Sequence, residues 1–111
     1  MTEDKKPSGA HYAGSEHGIS LATHYVALWL ENESGLLKRA RQLIAQDERD
    51  SSALFPWWVE FLLYGAHHGK FNLNSEPAHD ARVVRELKEH FNKDDFRRVD
   101  WTFVRESVTS E

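Results

Sequence analysis

The residue types in this chain best suited to chemistry are histidines and carboxylates. His67 and His68 are adjacent, and His79 with Asp80 follows beyond a polar stretch. These four groups could offer nitrogen and oxygen ligands to zinc or a related divalent ion. Their spacing matches no established zinc signature, and adjacent side chains at a helix end point apart. The sequence therefore reads them as solvated histidines or as partners of helix-end carbonyls. His24, with Glu31 and Glu33 downstream, has the residue types of an acid–base pair. The reading adopted is a histidine filling partly buried space beside the following loop. Asp94 and Asp95 suit the N-terminus of a helix better than a metal, and His11 and His17 fall in a polar N-terminal stretch. No Ser-His-Asp pattern, His-Glu-x-x-His element, phosphate-binding loop or dinucleotide fingerprint is present. The chain has no cysteine, which excludes a thiol nucleophile, a Cys-zinc site and a disulfide scaffold. No catalytic residue, metal or cofactor is assigned on this basis, and a non-enzymatic role is expected.

Charge narrows the partners. Lys plus Arg number 14 and Asp plus Glu 18, a formal net charge of −4. Lys38, Arg39, Arg41 and Arg49 are offset by Asp47, Glu48 and Asp50; Arg97, Arg98 and Arg105 are offset by Asp94, Asp95 and Asp100. A phosphate-binding face needs several uncompensated cations. A small DNA-binding regulator using the second helix is therefore the alternative reading, and nucleic acid is not the expected partner. No stretch approaches the ~20 apolar residues of a membrane span. Residues 1–18 lack the apolar run of a secretory signal, so a cytoplasmic location without membrane attachment is expected.

The elements that must position these groups are helical. Residues 1–18 are rich in Gly, Ser, His and charge, and are expected to form a flexible tail. A single domain is expected over residues 19–108, built as an all-α bundle of four to five short helices. In the first helix, Leu21, Tyr25, Leu28 and Trp29 recur at helical spacing after Ser20 as N-cap, with Val26 and Leu30 widening the stripe. Apolar around much of its circumference, it belongs in the middle of the fold. Ser34 is the expected cap of a second helix, carrying Leu36, Leu37, Ala40, Leu43 and Ile44 and ending near Gln46. A third helix spans 53–64, with Pro56 tolerated in its first turn and Gly65 or Gly69 as its stop. Pro77 opens a fourth over 77–91, with Ala81, Val84, Leu87 and Phe91 as its stripe. A connector carrying Phe96 and Val99 leads to a last helix capped by Asp100, with Trp101, Val104 and Val108 inward. The expected core includes Leu28, Trp29, Leu37, Leu43, Trp58, Phe61, Leu62, Val84, Leu87, Phe91 and Trp101.

The opening helix also carries a resemblance. Thr23, Val26, Ala27, Leu28, Trp29, Leu30, Glu31 and Asn32 match an opening element, Asn-Tyr-x-Thr-Trp followed by x-Val-Ala-Leu-Trp-Leu-Asp/Glu-Asn, of small all-helical proteins of phages, plasmids and integrated mobile elements. Ser20 and Leu21 stand in place of its Asn-Tyr pair, and His24 in place of its first Trp. Val99, Asp100 and Trp101 resemble the Val-Asn-Trp that opens the family's closing helix. The resemblance implies a small helical fold on a mobile element and brings no established activity or site residue. Many accessory proteins of this kind bind host factors, defence machinery included.

The aromatic cluster carries the functional expectation. Phe55, Trp57, Trp58, Phe61 and Tyr64 crowd into one short helix. One side, with Leu54, Trp58, Phe61 and Leu62, packs inward; Trp57 points about 100° away from Trp58, given 3.6 residues per turn, and Tyr64 shares its side. A leftover aromatic patch marks a binding surface. Trp57, Tyr64, His67, His68 and Lys70 are thus the expected contacts with a protein partner, with a homodimer as a lesser use of the same face.

Overall fold

The computed structural model describes residues 16–65, 71 and 76–110. Among the described residues there are six helices and no strand: α1 (Glu16–Asn32), α2 (Ser34–Asp50), α3 (Leu54–Tyr64), α4 (Ala81–His90), α5 (Lys93–Arg97) and α6 (Trp101–Thr109). The all-α expectation holds, and none of these helices is long and apolar enough to cross a membrane. The expected tail lies outside the described residues as far as residue 15. Residues 16–18 belong to α1, so Ser20 is inside the helix and not its cap.

α1 packs against α2, α4, α5 and α6 and is the central helix, as expected. Its inward face is Ala22, Val26, Trp29 and Leu30, with Thr23 and Ala27. Helices approach according to the bulk at their contact, and the small residues at 22, 23, 26 and 27 are where the neighbours close in. The bulkier Leu28 was expected inside and is instead 51% exposed, and Tyr25 is 47% exposed. Leu37 and Trp101, also expected in the core, are partly buried against it. The other expected core residues are buried.

One residue, Glu33 (φ −118°, ψ 106°), breaks the chain between α1 and α2, and it rather than Ser34 occupies the cap position. Its carboxylate accepts from Trp29 Nε1 at 3.0 Å and from the Asp80 backbone N–H at 3.2 Å. The second contact belongs to an extended strap, residues 76–80, that crosses this corner. Glu76, its side chain 2% exposed, accepts from Arg39 Nε and Nη2 at 3.1 and 3.2 Å and from Trp58 Nε1 at 2.8 Å. Pro77 presses so closely on Gly35 that a Cβ there would sit 3.2 Å from the proline Cβ. The strap displaces the start of α4 from Pro77 to Ala81, where the Asp80 carboxylate accepts from Arg82 N at 2.9 Å.

Capping fixes the remaining joints. α2 runs past the expected stop at Gln46, because Asp47 to Asp50 are polar but not helix-breaking; it ends where Ser51 turns left-handed at φ 53°. Buried Asp47 then caps the next helix from a distance. Its carboxylate accepts from Ser52 Oγ, Leu54 N and Phe55 N at 2.7 to 2.8 Å, satisfying N–H groups that a helix start leaves open. Pro56 does fall in the first turn of α3, and Gly65 (φ 61°) ends it, donating to Phe61 O at 2.8 Å. Asn92 and Asp95 form a reciprocal capping box on α5. Asp100 caps α6 through Phe103 N at 3.1 Å. Thr23 ties that cap to α1, its hydroxyl accepting from Asp100 N and donating to Ile19 O.

Asp47 serves two backbone donors and a hydroxyl at a buried joint, so Asp47→Ala is expected to lower stability by about 2–3 kcal/mol. In urea the midpoint falls with an unchanged slope.

Candidate functional site

α3 divides its aromatic side chains between two environments. Trp58 and Phe55 are fully buried, and Phe61 is 4% exposed. Trp57, one position from Trp58 and so about 100° around the helix, is 53% exposed. It lines a groove of about 530 Å³ between α3, α5 and α6, with Pro56, Val59, Phe96, Arg97 and Trp101 among its walls. Trp101 stands edge-on to Phe55 at 5.6 Å and turns its remaining surface to the groove. The rim is charged. Arg97 makes a two-pronged contact with Glu60 at 3.2 and 2.9 Å, and Lys93 Nζ reaches the same carboxylate at 3.4 Å. The hydrogen bond from Arg97 lowers the Glu60 pKa, outweighing the opposing effect of its partial burial. The same bond raises the pKa of Arg97.

Tyr64 is on the same side of α3 but does not line the groove. It packs edge-on against Phe96 at 6.2 Å, and the Lys88 and Lys93 ammonium groups sit 5.0 and 5.5 Å from its ring centre. Burial, followed by the nearby charges of Glu60 and Asp95, pushes its phenol up to about 12. Tyr64, expected as a partner contact, is therefore partly buried and is a platform for two lysines. His67, His68 and Lys70 lie outside the described residues.

The other chemical candidates are placed as follows. His24 is edge-on to Phe103 at 4.9 Å, while Glu33 serves Trp29 and Asp80 and Glu31 accepts from Ser107. The acid–base pairing is not assembled. His79 is edge-on to Trp29 at 6.1 Å, and its buried Nδ1 has no hydrogen-bond partner. Asp95 is fully buried in the α5 capping box. Among the described residues, no group of three or more His, Asp or Glu side chains is placed to hold a metal ion.

A second groove, of about 610 Å³, lies between α1 and α4 and went unread in the sequence. Its walls include Leu21, Tyr25 and Leu28 from α1 and Val83, Leu87 and Phe91 from α4 and the residue after it. These α1 positions are the stripe that periodicity assigned to the core. The overlooked signal was the apolar circumference of α1 itself: a helix with more than one apolar side has a face to spare when its neighbours cover only part of it.

Two titrations check these surroundings. Tyr64 should ionise near pH 12 in an ultraviolet absorbance titration of the folded protein, against an ordinary value of 10.0. Because its folded pKa is raised, stability should be complete below pH 10 and decline as pH climbs toward 12. Glu60 has the opposite sign. Its folded pKa lies below the ordinary 4.5, so the ion pairs contribute above 4.5 and are lost as pH falls through the lowered value. Glu60→Gln should unfold at a lower temperature than wild type at neutral pH, and the two should converge in acid.

No family model, no curated protein and no solved structure matches the chain.

Proposed function

We propose that this chain is a non-enzymatic protein-interaction module of a phage or other mobile genetic element. In this reading it works in the cytoplasm by binding a host protein complex and modulating or inhibiting it, with defence machinery as one class of target. The observation that carries the reading is Trp57, 53% exposed in an apolar groove and flanked by a paired arginine. Trp and Arg dominate the energetics of protein interfaces when they sit at the centre of a groove that excludes water. The resemblance of the opening helix to mobile-element proteins supplies the biological setting. The basic side chains needed by a DNA-binding regulator are in part committed elsewhere: Arg39 to Glu76, Arg41 to the Val108 carbonyl and Arg97 to Glu60.

The test is a pair of affinity captures from lysate of the producing cell, with wild-type protein and with Trp57→Glu. Wild type is expected to retain a defined complex that recurs when the captured protein is used as bait. Trp57→Glu should lose it while melting within a few degrees of wild type, since surface substitutions shift stability by about 0.5 kcal/mol or less. Equal capture by the variant, or its unfolding, would remove Trp57 from the interface. Binding of random-sequence duplex DNA with a steep salt dependence would put the regulator reading in its place.

A further inference from the structure

We infer that the groove between α1 and α4 is a docking site for an amphipathic helix of a partner protein, one whose apolar stripe is flanked by lysine or arginine. The inference rests on the chain being an interaction module. Among the described residues, the surface it uses shares no lining residue with the Trp57 groove.

Shape comes first. On α1, Leu21, Tyr25, Leu28 and Asn32 follow one another at i, i+4, i+7 and i+11 along one wall, a ridge about 17 Å long at 1.5 Å per residue. Partly buried Val83 and the buried Leu87 and Phe91 form the facing wall and floor from the other side. A ridge on α1 beside an apolar wall on α4, with a trough between them, forms a surface into which a third helix packs its own ridge. The groove does not suit strand addition, because both walls are helices whose backbone groups are already bonded internally and no strand edge exists among the described residues. The apolar content is real exposure: Tyr25 and Leu28 are each about half open to solvent, at 47% and 51%.

Charge then selects among helices. Among the described residues, the ionisable lining is Tyr25, Glu33, Glu86 and His90, and no lysine or arginine lines the groove. A basic flank on the incoming helix meets carboxylates on both walls, Glu33 from α1's end and Glu86 from α4. A second copy of this chain would instead bring the same two carboxylates against their own equivalents, and like charges across an interface oppose it. The net charge of −4 disfavours self-association in the same sense.

The experiment uses the full chain and three labelled synthetic helical peptides, followed by fluorescence anisotropy. The first carries leucines at i, i+3, i+4, i+7 and i+11 with flanking lysines. The second has the same leucines with flanking glutamates, and the third has the first peptide's composition in scrambled order. The lysine-flanked peptide is expected to bind best, and Tyr25→Ser and Leu28→Ser are each expected to weaken it about tenfold. Glu86→Lys, at an exposed position, should weaken the lysine-flanked peptide and strengthen the glutamate-flanked one. Trp57→Glu should leave both unchanged, which separates failure of this groove from failure of the Trp57 surface. The inference is overturned by equal binding of the scrambled or glutamate-flanked peptide, by no binding of the lysine-flanked one, or by indifference to Leu28→Ser. A wild-type dimer that Leu28→Ser dissociates would assign the groove to a second copy and overturn it as well.

Discussion

A buried carboxylate, Glu76, sets the arrangement of the helices around it. Trp58 carries an indole N–H into the centre of the protein, and a buried donor of that kind needs an acceptor. Glu76 supplies it at 2.8 Å, and its charge is met by the two-pronged contact from Arg39. Removing one partner of such a group leaves an uncompensated buried charge, a loss of about 3–5 kcal/mol. This contact pins the strap to α2 and α3. Glu33 repeats the device one corner away, joining the Trp29 indole to the backbone of Asp80. α4 is thus anchored at its start by the strap. At its far end Phe91 holds it, its ring tilted against Tyr25 and edge-on to Phe96, each at 5.9 Å. Between these anchors the α1–α4 interface stays partly open, and the groove follows from that.

Much of the helix order was legible because local chemistry fixes it. Pro56 confined α3 to a start just before it, Gly65 ended it, and Asp100 opened α6; each acts through its own backbone neighbourhood. The misplacements share another cause. Pro77 has the appearance of a helix opener but is held against Gly35 by Glu76, more than thirty residues downstream of the arginine that fixes it. Asp47 looks like a helix stop yet continues its own helix while capping the next. Contacts of that range have no signature within a sequence window.

The candidate site was legible in half. Trp57 could be separated from Trp58 by helical geometry alone, because adjacent positions differ by about 100°. Tyr64 shares that side of α3, but α4 and α5 bring lysines over its ring, and no periodicity on α3 reveals what another helix delivers. The reverse holds for α1. Periodicity finds an apolar stripe but does not say which of two stripes the neighbours choose; small side chains at 22, 23 and 27 decided for the other one. Most rings of α3 are enclosed, and the exposed rings among the described residues are Trp57 on one groove, Tyr25 on another and Phe103 on α6.

The four indoles end up in graded surroundings. Trp58 and Trp29 are sealed and hydrogen-bonded to carboxylates, Trp101 is partly buried against Phe55, and Trp57 is about half open to water. Emission from such a set is expected to be composite, the sealed pair bluer and shielded from dissolved quenchers and Trp57 redder and more readily quenched. The molecule therefore carries an open indole at the mouth of one groove, whereas the indole that lines the other, Trp29, is already sealed, so a shift of the red emission is expected only from a ligand that arrives at the first.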